Sequence, residues 1–208
     1  KRQTHRNTSW DYARDEICAH HWIDLSAPDY GVALLNDSKY GHRAEGNTLD
    51  LNLLRSPSYP DPEADRAEHT FTYSLYPHKG DYVQAEVYKR GYELNVPLRA
   101  ISAGPADGVV GEAVLPSRSF LRIDHPHIMI EAVKKAEDDD DWIVRLYETA
   151  GTRAEAELRT DFAVESAWIA DLMEQPLEPV STENGAIALS FAPFEILTVK
   201  IRLSETQS

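Results

Sequence analysis

Cysteine is all but missing: Cys18 is the only one in 208 residues, so no internal disulfide can form and packing must hold the fold. A lone thiol fits a reducing compartment, and the expected location is the cytoplasm. Long apolar runs are also missing. No stretch approaches the roughly 18 apolar residues of a membrane helix, and no apolar signal core stands near the first residue. Basic charge is scarce. With 21 Lys and Arg against 35 Asp and Glu, the net charge is −14, which repels phosphate backbones and anionic bilayers. Neither nucleic acid nor membrane is expected as a partner. The sequence opens at Lys1 and stays polar as far as Ser9, which reads as an interior cut of a longer chain, so missing signals at that end carry little weight.

What is present is alternation. Leu49, Leu51 and Leu53 alternate with polar residues, as do Phe71, Tyr73 and Leu75, then Ala154, Ala156 and Leu158, and finally Leu197, Val199, Ile201 and Leu203. Period 2 predicts half-buried strands of antiparallel sheets, with these apolar residues in a core and their neighbours in water. Shorter apolar runs, 31–35, 128–133, 142–147 and 187–191, are bounded by Gly, Pro, Asn or Asp and also predict strands. One helix is expected over 81–90, with Asp81 as N-cap, Gln84 in a capping box and Gly91 as its left-handed stop. The fold class is therefore mainly β, a sandwich.

A boundary is expected near Leu115–Ser119, after the weakly patterned stretch Gly104–Gly108, dividing the chain into 1–118 and 119–208. The later part carries a hairpin signature around the polar turn 137–141 and predicts a small second β-sandwich. Residues 177–185 read as a connecting loop.

Several clusters invite a chemical reading. The acidic run Glu137–Asp141 lacks the spaced ligands of a calcium loop and is expected to be a solvated turn. His20-His21 and His125-Pro126-His127 lack a second ligand cluster for zinc and are expected to be surface or hydrogen-bonded histidines. Cys18 is expected to be a buried structural thiol. No pair of carboxylates can be assigned to glycoside hydrolysis from spacing alone. Two loops are richer in chemistry than strand connections require: 36–42, with Asp37, Lys39 and Tyr40, and 55–62, with Arg55, Asp61 and three prolines. Stiff polar loops with aromatics suit sugars, because hydroxyls need directional partners and the apolar sugar face packs on a ring. Packing of a domain interface explains them equally well.

The same segments carry a family resemblance. Thr4-His5-Arg6-Asn7-Thr8-Ser9-Trp10-Asp11, Trp22-Ile23-Asp24-Leu25-Ser26, the run from Tyr30 to Gly41, Leu54-Arg55-Ser56-Pro57, Tyr59-Pro60-Asp61-Pro62 and Thr72-Tyr73-Ser74-Leu75-Tyr76-Pro77-His78 resemble the carboxyl-terminal half of glycoside hydrolase family 38 α-mannosidases, in the bacterial and fungal vacuolar or cytosolic branch. Glu131–Glu137, Val144–Glu148 and Pro193–Thr198 resemble that family's final β-sandwich. The resemblance implies a zinc-dependent retaining enzyme acting on terminal non-reducing α-D-mannose. It also implies that the nucleophile and zinc ligands lie in an amino-terminal region outside this chain, and that the present residues end a galactose-mutarotase-like supersandwich. No catalytic or metal-binding residue is then expected here, and the chain alone should be inactive. Asp37, Lys39, Tyr40, Arg55 and Asp61 become candidate substrate contacts. The second loop departs from Golgi and lysosomal relatives, which carry an arginine after paired acids where this sequence has Pro60-Asp61-Pro62-Glu63. Ser38 stands where cysteine is more usual.

The expected partners are mannose-containing oligosaccharides and the amino-terminal catalytic region, with a homo-oligomer possible. The alternative is a non-catalytic carbohydrate-binding or structural β-sandwich module, including one that mediates subunit contacts.

Overall fold

The computed structural model describes residues 3–101 and 117–204. The chain divides into two compact units, Lys1–Gly104 and Pro105–Ser208. The Gly104–Gly108 stretch and the start of the expected boundary segment lie outside the described residues.

The first unit opens with a one-turn helix, α1 (Ser9–Tyr12), held by a reciprocal cap between Thr8 and Asp11. Two three-stranded antiparallel sheets follow. One orders β1 (Glu16–Cys18), β4 (Gly41–Glu45) and β5 (Thr48–Leu51) as β1-β4-β5; the other orders β2 (Trp22–Ser26), β3 (Tyr30–Asn36) and β6 (Tyr73–Lys79) as β2-β3-β6. Strand β3 is central and covered along most of its length. Ala33 and Leu35 pack with Tyr82 and Val87, supported by Trp22 and Tyr76.

That packing corrects the expected face of β6. Tyr76 lies opposite Ala33 in register, so the strand turns Tyr76 and His78 inward and leaves Tyr73 and Leu75 exposed. The period was right and the phase was wrong, because aromatics and histidine can fill a core as Leu does. His78 sits so close that a Cβ on Gly31 would lie 2.3 Å from its ring. Only glycine fits there.

The helix also differs from expectation. Asp81 does cap, its Oδ1 accepting the N–H groups of Val83 and Gln84 at 3.0 Å each, but 82–86 form turns and α2 runs Val87–Asn95. Gly91 is not its stop. It lies inside the helix, where a Cβ would meet Trp22 at 2.8 Å.

The second unit pairs two antiparallel sheets. The four-stranded sheet runs β13 (Thr182–Glu183), β14 (Ala186–Phe191), β10 (Ala154–Thr160), β7 (Leu121–Ile123). The five-stranded sheet runs β12 (Pro176–Val180), β11 (Val164–Ala170), β15 (Ile196–Leu203), β9 (Trp142–Glu148), β8 (Ile128–Lys135). Leu158, Ile187 and Phe191 from the first meet Val144, Leu146, Val199 and Ile201 from the second in one core, as a β-sandwich requires. The expected loop at 177–185 is mostly strand, β12 and β13.

The outer face of β15 is not the solvated face that alternation suggests. Thr198 and Lys200 are buried. The Lys200 ammonium meets Asp139 at 2.6 Å, and Arg202 grips Asp141 through two hydrogen bonds of 3.0 and 2.9 Å. The acidic turn is solvated over 137–140, as expected, while its last residue, Asp141, is buried and, with Asp139, supplies counter-charge to these cations.

Candidate functional site

The first candidate loop joins β3 to β4. Asn36, at the end of β3, is fully buried. Its Oδ1 accepts the Lys39 N–H at 3.0 Å, closing the turn, its carbonyl accepts the Asn95 amide at 3.0 Å, and its Nδ2 lies 3.5 Å from His42 Nε2. Burial pushes His42 below the usual histidine range, while backbone groups of Ala19 and Asp50 offset part of that. A neutral ring can accept the Asn36 amide.

On this base the loop grips the segment before β6. The Asp37 N–H donates to the Thr72 carbonyl at 3.2 Å, and the Thr72 N–H donates to Asp37 Oδ2 at 3.0 Å. The Thr72 N–H holds the Asp37 carboxyl below its usual range. Lys39 Nζ stands 5.0 Å from the centroid of the Phe71 ring. Tyr40 lies tilted on His20, with ring centroids 4.4 Å apart. Asp37, Lys39 and Tyr40 thus share one turn, with Asp37 and Lys39 both fastened to 71–72.

The second loop is separately tied. Asp65 Oδ2 accepts the Ser56 N–H at 2.8 Å, and Asp61 Oδ1 accepts the Glu63 N–H at 2.9 Å. Tyr59-Pro60 is cis. Arg55 and Asp61 are exposed, and among the described residues no hydrogen bond or ion pair joins either to Asp37, Lys39 or Tyr40. The three candidates of the first loop therefore share one turn, and these contacts do not tie the two of the second loop to it.

Other sequence candidates fall elsewhere. Cys18 is exposed at the end of edge strand β1, correcting the expected buried thiol, because Ile17 takes the inward position. His125 and His127 meet edge to face at 5.4 Å. Among the described residues no three His, Cys, Asp or Glu side chains converge to hold a metal ion.

Comparison with known proteins gives these loops a context. Two family models match: the glycosyl hydrolases family 38 C-terminal domain over residues 1–63, and the family 38 C-terminal beta sandwich domain over residues 127–199.

The chain belongs to glycoside hydrolase family 38.

It is 41% identical over 209 residues to alpha-mannosidase 2C1 of Mus musculus, covering 98% of this chain and 19% of that protein. It is 44% identical over 151 residues to alpha-mannosidase G of Dictyostelium discoideum, covering 73% of this chain and 14% of that protein. With the alpha-mannosidase of Saccharomyces cerevisiae it shares 30% identity over 217 residues, covering 97% and 20% respectively. The chain thus spans about a fifth of the length of the mouse and yeast relatives. A solved family 38 structure from Enterococcus faecalis superposes with a TM-score of 0.71 at 21% identity, covering 92% of this chain and 23% of that one, which supports the fold.

In this family 38 chain, reading the sequence placed Asn36 and His42 in the first loop without a role, where the structure shows them holding it from behind, and it missed the buried pair His78–Asp24. The only available signal was polar residues inside strand runs, in Ala33-Leu34-Leu35-Asn36 and Tyr76-Pro77-His78. Such residues are buried only with partners.

Proposed function

We propose that this family 38 chain is the carboxyl-terminal β portion of an α-mannosidase that removes terminal non-reducing α-D-mannose, and that its loops help to line the cleft. The observation that carries the proposal is similarity to proteins named alpha-mannosidase over nearly the whole chain, 98% of it for the mouse protein. In this reading residues 1–118 end a mutarotase-like β-domain and 119–208 form the small final sandwich. The setting is cytoplasmic, and an exposed free thiol at Cys18 suits reducing conditions.

Retaining hydrolysis needs a carboxylate nucleophile and a general acid about 5 Å apart, and the proposal assigns both to the amino-terminal region. The proposal places the zinc in that amino-terminal region as well, as the family resemblance implies. Arg55, Asp61 and Tyr40 are exposed and able to meet sugar hydroxyls directly. Asp37 and Lys39 contribute mainly by fixing the shape of the loop, since their polar groups already engage Thr72 and Phe71.

The test is hydrolysis of a chromogenic α-mannoside by the full reading frame, by the same frame lacking this segment, and by the 208-residue chain. Only the first should turn over. Hydrolysis by the isolated chain, or none by the full protein, would overturn the proposal.

A further inference from the structure

Three buried carboxylates, Glu148, Glu174 and Asp141, have full sets of partners. Glu148 accepts hydrogen bonds from the N–H groups of Ala150, Gly151, Thr152 and Phe194 and from the Thr152 hydroxyl. Glu174 takes Lys134 Nζ at 2.7 Å and the Glu137 N–H at 2.8 Å. Asp141 takes Arg202 through both oxygens. Asp24 is the exception. Its side chain is 4% exposed, and its sole partner among the described residues is His78, whose Nε2 lies 2.7 Å from Asp24 Oδ1. A carboxylate can only accept, so Nε2 carries the hydrogen. The second oxygen of Asp24 takes no hydrogen bond among the described residues.

Asp24 is one of the residues lining a cleft of about 700 Å³, within the range of small-molecule sites. Ser26 shares its strand end. Tyr82 and Gln84, from the turns after Asp81, form another wall, and Thr4 and His5 a third. Two acids, Asp24 and Asp81, line it, which disfavours phosphate and other anions. Asp81, the other acid in the wall, already spends Oδ1 on two backbone N–H groups. Most of the wall is therefore neutral hydroxyl, amide and apolar surface, beside one largely buried carboxylate that has a single protein partner among the described residues. Hydroxyl groups supply donors to it without a net charge to desolvate.

We propose that this cleft is a sugar-binding site, separate from the two loops, in which paired hydroxyls of a hexose donate to Asp24. His78 is a positioning residue: it holds Oδ1 from behind, which leaves the outer oxygen for the ligand. The choice of mannose as the hexose rests on the function proposed above; the choice of a neutral polyol rests on the cleft alone.

The test is a ¹H–¹⁵N NMR titration of the 208-residue chain with methyl α-D-mannopyranoside up to about 50 mM, an affinity range natural for one sugar ring. Spermidine serves as a cationic probe. Amides of 24–27 and 82–84 should shift and saturate with the mannoside. Asp24→Asn, which keeps the shape and loses the charged acceptor, should weaken binding by about tenfold or more. Should Asp24→Asn fail to fold, Ala27→Trp, which fills the cleft from an exposed turn position, should abolish the shifts in a folded protein. Three results overturn the site: no shift at these amides, equal affinity in the folded variants, or a response to spermidine alone. Shifts confined to 37–40 and 55–61 would sink this cleft while leaving the mannosidase proposal standing. An inactive full-length protein whose cleft still binds the mannoside would sink the latter alone.

Discussion

Removing the Glu148 carboxylate should destabilise the second unit more than the loss of an ordinary surface acid. Glu148 is 1% exposed at the end of β9 and fixes the turn into β10, with hydrogen bonds from Ala150 at 2.8 Å, Gly151 at 2.7 Å, Phe194 at 3.0 Å, and Thr152 N–H and hydroxyl at 3.2 Å each. In Glu148→Ala those donors lose their acceptor. Thr152 and Phe194 are exposed and can turn to water, but Ala150 is buried and Gly151 half-buried. Two stranded donors at roughly 1–2 kcal/mol each give about 3 kcal/mol, or roughly 10–20 °C in melting temperature for a unit of this size. Glu148→Gln keeps one acceptor oxygen but points an amide NH₂ at N–H donors, so about 2 kcal/mol is expected. The sign with pH follows from the same contacts. Burial pushes the carboxyl up, but the N–H groups of Phe194, Ala150, Gly151 and Thr152 outweigh it and hold the group below its ordinary range. The stabilisation is complete above the unfolded carboxyl value of about 4.3 and disappears as pH falls through the lower folded value. Thermal melts from pH 7 down to about 3, with hydrogen exchange read at Ala150 and Gly151, measure both. An Ala variant that melts within about 1 °C of the parent at pH 7, with both amides still protected, would refute the reasoning.

Arg55→Ala should shift stability by no more than about 0.5 kcal/mol, because Arg55 is exposed, yet lower kcat/KM of the full-length enzyme; unchanged kinetics would remove it as a substrate contact. Asp37→Ala should cost about 1–2 kcal/mol by releasing Thr72, so any activity loss must be read beside a melt of the same sample. His42 predicts a second pH effect. Its folded pKa is depressed by burial, so its contribution is full above the unfolded value of about 6.5 and is lost as pH falls through the folded value. His42→Gln should flatten the stability profile of the first unit in that window. Gly91→Ala would normally gain about 1 kcal/mol in a helix, but the added Cβ meets Trp22 at 2.8 Å and Trp22 stacks on Tyr82. A net loss of about 1 kcal/mol or more is expected in denaturant melts, and a gain would show that the ring yields.

Alternation located most of the strands in this chain, because β10 and β14 each present small and branched residues to one covered face. It failed where both faces are covered. On β3 the helix side buries Ala33 and Leu35 while Leu34 is buried on the other, and on β15 Lys200 is hidden much as Val199 is. Period 2 says that neighbours differ in direction; it says nothing about what lies over each face. For β6 this decided the outcome, since Ser74-Leu75-Tyr76-Pro77-His78 is apolar in one phase and aromatic in the other.

The site was legible to a similar degree and for a similar reason. Asp37, Lys39 and Tyr40 could be picked out because polar groups crowd a turn, but crowding does not distinguish a group that awaits a ligand from one already satisfied. Asp37 is satisfied by Thr72, whereas Asp24, inside a strand and unremarkable as a letter, is left with one partner among the described residues. A carboxylate that accepts from only one protein group keeps lone pairs that the hydroxyls of a ligand can use. The count of partners at a buried carboxylate is therefore the better guide to where the proposed sugar site should be sought, and it points to Asp24 ahead of Asp37.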